Sequence, residues 1–174
     1  TVEPDELRLL YFGSFLNNGN YEYEEIENTE DVIPCFEKHL FDYNKVSSTP
    51  MDLVIFGYAA EHLSRLVRIL IMEERHALLV GMIGSGRQSL ARLAAHIVGR
   101  KTYQINEKHT YNVADWKDDI KAAVKAAAMS TNGIVFVLNH SQIVHEIILG
   151  DIDVYLHNGQ IPDLFSDDEL QVIH

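Results

Sequence analysis

The most informative part of this sequence is Gly81-Met82-Ile83-Gly84-Ser85-Gly86-Arg87-Gln88-Ser89. An apolar run at residues 77–80 precedes it, and apolar residues at helical spacing follow it over residues 90–98. This order predicts a strand, a glycine loop and a helix, which is the context that a phosphate-binding loop requires. The alternative interpretation is that the glycines only form a tight turn between a strand and a helix.

Glycines supply the backbone part of such a loop. They adopt conformations closed to other residues, so consecutive amides can turn inward around phosphate oxygens at the positive end of a helix. We therefore predict that nucleotide phosphates are bound by one set of residues: Gly81, Gly84, Ser85, Gly86, Arg87, Gln88 and Ser89.

The side-chain part of the loop departs from the usual signature, which has lysine followed by serine or threonine. Arg87 stands at the lysine position and keeps a cation, but its planar fork does not mimic a compact ammonium. Gln88 stands where a hydroxyl should hold magnesium, and Ser89 points about 100° away by helix geometry. Gln88 and Ser89 are the candidates near Mg²⁺, and no residue is assigned as a metal ligand.

A phosphate-loop ATPase also needs acidic residues at the end of a neighbouring strand, to organise magnesium and to activate water. After the apolar run 134–138, the chain has Asn139 and His140 instead. His140 could act as a general base near neutral pH, but a polar strand-end residue with a satisfied hydrogen bond is the more ordinary role. The sequence thus provides no catalytic residue that we can assign at these two degenerate positions.

The rest of the chain alternates apolar runs with helical patterns, which predicts an α/β fold with a parallel sheet. Asp115 is the expected cap of a helix whose Trp116 packs between helix and sheet. Asn158-Gly159 is expected to end the last helix. Strands are predicted at 102–105 and 134–138, and helices at 61–71, 116–127 and 143–156.

The N-terminal part has a weaker pattern. Residues 5–45 mix aromatic and acidic side chains around a turn signal at 17–20. Residues 46–50 are small and polar ahead of a proline, which is typical of a linker. We therefore predict an N-terminal segment and linker over residues 1–50, followed by a nucleotide-binding domain over residues 51–174.

Composition excludes several classes of function. The formal charge of -12 over 174 residues opposes nucleic-acid binding, because the surface should repel phosphate backbones. No apolar run approaches the roughly 20 residues of a membrane span. Cys35 is the sole cysteine, which excludes an internal disulfide and fits a reducing compartment. The histidines lack metal-ligand spacing, so we expect no zinc site.

Several motifs together resemble the fourth AAA+ module of dynein heavy chains. They are Leu-Leu-Val-Gly at 78–81, Gly-Ser-Gly-Arg-Gln-Ser-Leu at 84–90 and Arg-Leu-Ala at 92–94. The resemblance extends through residues 53–56, 61–65, 115–120, 141–143 and 158–165. Ser-Gln-Ile at 141–143 and Gly-Gln-Ile-Pro-Asp-Leu-Phe at 159–165 are more similar to axonemal than to cytoplasmic dyneins.

This resemblance implies an AAA+ type P-loop NTPase fold, which is a three-layer sandwich with a parallel sheet. It also implies that this chain is truncated before the later strands and the helical lid of that fold. It places Val54, Ile55 and Phe56 beside the adenine pocket and implies ATP or ADP as ligand, with weakened Mg²⁺ binding. It also implies a module of an ATP-dependent microtubule motor, in which this module is regulatory and hydrolyses ATP weakly or not at all. An active ATPase and a nucleotide-free spacer in the ring are the alternatives.

The resemblance further implies partners and a location. Neighbouring AAA+ modules of the same heavy chain, and dynein intermediate and light chains, would be the protein partners. Microtubules would be contacted through other parts of the motor. The axoneme of a cilium or flagellum is the expected site, with the cytoplasm as the alternative, and neither nucleic acid nor membrane is an expected partner.

Overall fold

The computed structural model describes residues 11–16, 23–26, 28–72, 75–105, 111–166 and 169. The chain divides into two compact units, Thr1–Arg100 and Lys101–His174. None of the helices in these described ranges is both long and apolar enough to cross a membrane. The turn expected at residues 17–20 lies outside the described residues.

The first unit begins with a small antiparallel pair of strands, β1 (Tyr11–Gly13) and β2 (Glu24–Ile26), and continues through a short 3-10 helix. Helix α1 follows at Val32–Val46, inside a region whose sequence pattern is weak. Pro34 lies in the first turn of this helix, where the missing amide hydrogen has no intrahelical acceptor to lose. Pro34 is therefore compatible with the start of a helix here.

The predicted linker is a short connection held at both ends. Helix α1 includes Val46, and Asn44 bridges across the following residues to the backbone of Met51. Its side-chain amide donates to the Met51 carbonyl at 2.9 Å and its carbonyl accepts from the Met51 amide at 2.8 Å. Residues 47–50 are thus a pinned turn, while the proposed domain boundary at residue 50 stays a prediction.

Two further helices complete the first unit, α2 (Gly57–Ile71) and α3 (Arg87–Ile97), which confirms the helices predicted on either side of the glycine loop. Both contribute apolar faces to one core, as helical spacing requires. Helix α1 joins the same core, whose most deeply buried side chains are Val32, Phe36, Ala60, Leu63, Val67, Leu93 and Ala94. The start of the glycine-loop helix is therefore fixed by packing along its length.

The strand predicted at residues 77–80 is wrong. These residues have no regular secondary structure, and Leu78 and Val80 are 90% and 86% exposed, while Leu79 packs against the core. An apolar run favours burial, but a strand also needs a partner for its backbone hydrogen bonds. Among the described residues, the strands pair only as β1 with β2 and β3 with β4.

The second unit contains the parallel pair that the sequence predicts. Strand β3 (Lys101–Gln104) is joined through helix α4 (Val113–Ala128) to strand β4 (Ile134–Val137), and Lys101 pairs with Ile134 in parallel register. This is mixed helix and strand with a small parallel sheet, consistent with the AAA+ α/β class. The full three-layer sandwich stays a prediction.

Asp115 is not the cap of α4. Asn112 takes that place, because its side chain accepts from the amides of Ala114 at 2.8 Å and Asp115 at 3.1 Å. The Asp115 carboxylate in turn accepts a hydrogen bond from the backbone amide of Asn112 at 3.1 Å, which completes a capping box. A residue three positions before the expected cap therefore begins the helix.

The unit ends with helix α5 (Glu146–Asn158), which starts three residues later than predicted because a short 3-10 helix, His140–Gln142, comes first. Gly159 ends α5 in the left-handed conformation, as expected. Trp116 is 1% exposed and packs edge-on against Phe136 of β4, which confirms its position between helix and sheet. Its indole nitrogen donates to Asp151 of α5 at 2.8 Å.

Candidate nucleotide-binding loop

Two glycines give the loop before α3 its shape. Gly84 has φ +82 and Gly86 has φ +74, a region that costs a residue with a side chain about 1 to 2 kcal/mol. The amide of Ser85 donates to the Met82 carbonyl at 3.2 Å and closes the turn between them. The backbone geometry that the sequence predicts for these glycines is therefore present.

The loop delivers the chain to the first turn of α3 without a side-chain cap. Gly86 occupies the N-cap position and, having no side chain, makes no side-chain cap bond to the first amides of the helix. Such amides carry the positive end of the helix dipole and are ready donors to an anion. Leu93, fully buried two turns further on, holds the helix axis in place.

A second test of fit is the space beside the first glycine. A Cβ added to Gly81 would lie 3.1 Å from the Ser85 hydroxyl oxygen and 3.5 Å from Cδ of Arg87. A Cβ at the first glycine would therefore crowd the end of the Ser85 side chain, whereas Gly84 and Gly86 are favoured by their backbone angles. The same backbone geometry suits a phosphate cradle and a tight turn, so phosphate binding at this loop stays a prediction.

The three side chains at the helix start differ in placement. Arg87 is half-buried and its Nη2 donates to the Met82 carbonyl at 2.9 Å. Gln88 is exposed and Ser89 is half-buried. Among the described residues, no group of three or more histidine, cysteine or acidic side chains is arranged to hold a metal ion.

The segment proposed to face the adenine lies next to the loop in the first unit. Leu53 Cδ1 would be 3.6 Å from a Cβ on Gly86. Ile55 is part of the core at 5% exposure, whereas Val54 and Phe56 on either side are 75% and 57% exposed. The segment thus anchors through alternate residues and presents Val54 and Phe56 to solvent.

Asn139 and His140 follow β4 in the second unit, and neither provides a carboxylate. The Asn139 amide donates to the side-chain oxygen of Gln142 at 2.8 Å, and the side-chain nitrogen of Gln142 donates to the Ile105 carbonyl at 2.8 Å. Gln142 is only 6% exposed and so ties together the segments that follow β3 and β4. His140 is exposed.

Gln142 is a residue that pattern analysis alone did not single out as a support of the strand end. The available signal was a polar residue inside Ser-Gln-Ile directly after a buried strand, where a long amide can bond two backbone groups. Leu53 was missed for a similar reason. Its contact with the loop depends on a turn in the chain that periodicity does not encode.

A cleft of about 620 Å³ in the second unit contains none of the proposed nucleotide ligands. Lys121 in its wall is bonded to both carboxylate oxygens of Glu169, at 3.0 and 2.7 Å. These bonds hold the pKa of Glu169 down to about 2, with the amide of Ser166 adding to the effect. Because Lys121 is already paired with Glu169 and none of the predicted phosphate-loop residues lines the cleft, the glycine loop remains the better candidate site.

One family model matches the part of the chain that contains this loop. A family model described as "P-loop containing dynein motor region D4" matches residues 51–174. The chain therefore belongs to the family of P-loop-containing dynein motor regions.

Its relatives include axonemal dynein heavy chains. Dynein axonemal heavy chain 3 of Mus musculus is 36% identical over 170 residues, 97% of this chain and 4% of that protein. Dynein axonemal heavy chain 6 of Homo sapiens is 37% identical over 168 residues, 94% of this chain and 4% of that protein. The dynein alpha chain of the flagellar outer arm of Chlamydomonas reinhardtii is 40% identical over 147 residues, 84% of this chain and 3% of that protein.

Proposed function

We propose that this chain is the fourth AAA+ module of an axonemal dynein heavy chain, and that it binds ATP or ADP as a regulatory site with weak or absent hydrolysis. The observation that carries the proposal is the uncapped first turn of α3, reached through Gly84 and Gly86 at positive φ. Family membership adds that such a loop belongs to a dynein motor region.

Binding of a nucleotide rests on the backbone and on one cation. The first amides of α3 donate to phosphate oxygens, and Arg87 supplies the positive charge at the end of the loop. Val54 and Phe56, exposed beside Leu53, offer an apolar surface to the base. Bound nucleotide supplies negative phosphate oxygens, and the residues of this chain hold and orient them.

Weak hydrolysis rests on the altered side chains. A Mg²⁺-dependent ATPase needs a hydroxyl after the loop cation and carboxylates at a strand end. Gln88, Asn139 and His140 occupy the corresponding positions in the sequence and offer amides and an imidazole. Arg87 can pair with phosphate while stabilising the transition state poorly, because its wide fork does not fit between phosphates as a lysine does.

The proposal includes a location and a set of partners. The axoneme of a cilium or flagellum is the proposed location, which the names of the axonemal and flagellar relatives support. The proposed partners are neighbouring modules of the same heavy chain, intermediate and light chains, and microtubules contacted elsewhere in the motor. A net charge of -12 disfavours direct contact between this segment and the acidic surface of tubulin.

The test is a titration of the chain with fluorescent ADP and ATP, with and without Mg²⁺. Arg87→Glu should weaken binding by at least about tenfold, because a charge-assisted contact to phosphate becomes a repulsion. Arg68→Glu is the matched control, since Arg68 is an exposed arginine of α2 in the same unit. Equal loss in both variants would mean that net charge, not the loop, governs binding.

Two outcomes would replace the proposal. Turnover of ATP above that of Arg87→Glu, with Mg²⁺, would establish an active ATPase. No binding of either nucleotide to the folded wild-type chain would favour a structural spacer. Gln88→Thr gives a further check, because restoring the hydroxyl should make affinity more dependent on Mg²⁺.

A further inference from the structure

The carbonyl of Met82 accepts two hydrogen bonds that close the glycine loop. It accepts the amide of Ser85 at 3.2 Å and Nη2 of Arg87 at 2.9 Å. One acceptor near the start of the loop therefore binds donors from its middle and from the first residue of α3. The carbonyl has two lone pairs, so both bonds can coexist.

The stem of Arg87 also lies across the loop. Its Cδ and Nε would be 3.5 and 3.7 Å from a Cβ on Gly81, beside the Ser85 hydroxyl at 3.1 Å. The arginine thus packs against the first glycine while its guanidinium bonds to the next residue. This arrangement uses the same cation that the proposed function assigns to phosphate.

A carbonyl and a phosphate compete for this guanidinium on unequal terms. The guanidinium is charged in both bonds, but a phosphate adds Coulomb attraction between opposite charges and offers two oxygens that match the planar fork, whereas the carbonyl is neutral and offers one. A neutral carbonyl in an exposed loop is therefore an acceptor that phosphate can displace. The bond from Arg87 to this carbonyl is still strong enough to order the loop before phosphate displaces the carbonyl.

We propose that Arg87 is a latch, which bonds to the Met82 carbonyl and closes the loop on itself until a nucleotide phosphate takes the guanidinium. The second part of this inference rests on the proposed function, and the first part does not. The latch makes loop order depend on one side chain, and it couples nucleotide arrival to release of the Met82 carbonyl.

The first experiment measures hydrogen exchange at the Ser85 amide by NMR, without nucleotide. Arg87→Ala should speed this exchange roughly fivefold, because the acceptor of Ser85 loses the bond that holds it in place. Arg68→Ala is the control: it removes another exposed arginine of the same unit, one that bonds to Tyr23, and should leave Ser85 unchanged. Unchanged Ser85 exchange in a folded Arg87→Ala chain would overturn the latch.

A second measurement needs no variant. If Nη2 of Arg87 is held by a carbonyl, rotation of the guanidinium is hindered and its two terminal nitrogens give separate NMR signals in the wild-type chain. A single averaged signal would contradict the proposal even if Arg87→Ala failed to fold.

ADP then separates the two ideas. Saturation with ADP should shift the Arg87 guanidinium signals and lower the protection of Ser85. ADP binding that leaves both unchanged would refute exchange of the latch while the proposed function stands. Absence of ADP binding would refute the proposed function and the exchange together, whereas the Ser85 comparison would still decide whether the latch itself exists.

Discussion

Replacement of Gly86 by alanine tests whether backbone geometry at the helix start, rather than lack of space, requires glycine. A Cβ at Gly86 would meet only Leu53 Cδ1, at 3.6 Å, which is ordinary contact. The cost should therefore come from φ +74 alone, and we expect the first unit to lose about 1 to 2 kcal/mol.

Gly57→Ala is the matched substitution in the same unit. Gly57 begins α2, its added Cβ meets nothing within 4 Å, and no positive φ is found there. Alanine is the better helix former, so this variant should gain up to about 0.5 kcal/mol. The two glycine-to-alanine changes thus have opposite expected signs.

The assay is urea unfolding monitored by circular dichroism. Midpoints are compared between variants whose free energy of unfolding falls with the same slope against urea concentration. The midpoint should fall for Gly86→Ala and stay level or rise for Gly57→Ala. A Gly86→Ala chain as stable as wild type would refute the reasoning that the left-handed conformation at the helix start is obligatory. A parallel fall in both variants would point to a general sensitivity of the loop region instead.

Three more predictions concern other residues. Gln142→Met keeps the side-chain length but leaves the Asn139 backbone amide and the Ile105 carbonyl unpaired. The free energy of unfolding of the second unit should therefore fall by about 1 to 3 kcal/mol. Urea unfolding followed by the fluorescence of the single tryptophan measures this loss. Lys121 lowers the pKa of Glu169, so the stabilising effect of the Glu169 carboxylate should be complete above pH 4.5 and disappear as the pH falls towards 2. The urea midpoints of wild type and Glu169→Gln should therefore converge over that interval. A constant difference between the two midpoints would contradict this prediction. Burial raises the pKa of Cys35, so iodoacetamide should alkylate it slowly at neutral pH in the folded chain and faster in urea; equal rates would show that burial does not protect it.

The elements that sequence reasoning found are those with a strong local period. Residues 61–71 and 90–98 repeat apolar side chains at helical spacing, and α2 and α3 cover them with small changes at their ends. The run after Gly133 is apolar and β-branched, and β4 forms there. Predictions from such patterns are confirmed because the spacing of buried residues follows directly from the period of the helix or strand.

The wrong predictions concern features that depend on a strand-pairing partner or on a short-range polar contact. The run at 77–80 has the composition of a strand but no ladder partner among the described residues. Asn112 outcompetes Asp115 as a cap because its side chain reaches two amides at once, whereas Asp115 lies inside the first turn. Helix α1 was not predicted because residues 5–45 mix aromatic and acidic side chains without a clear period, and its Pro34 is accommodated in the first turn.

For the candidate site, the residue types could be read from the sequence: which glycines can adopt the loop angles, that the cation is an arginine, and that amides and an imidazole stand where a phosphate-loop ATPase is expected to have a hydroxyl and carboxylates. Those properties belong to single residues and their order. Tertiary structure decided what each group touches. The bond from Arg87 to the Met82 carbonyl, the packing of Leu53 beside Gly86 and the bridge made by Gln142 join residues whose contacts depend on how the chain folds back, which no local period records.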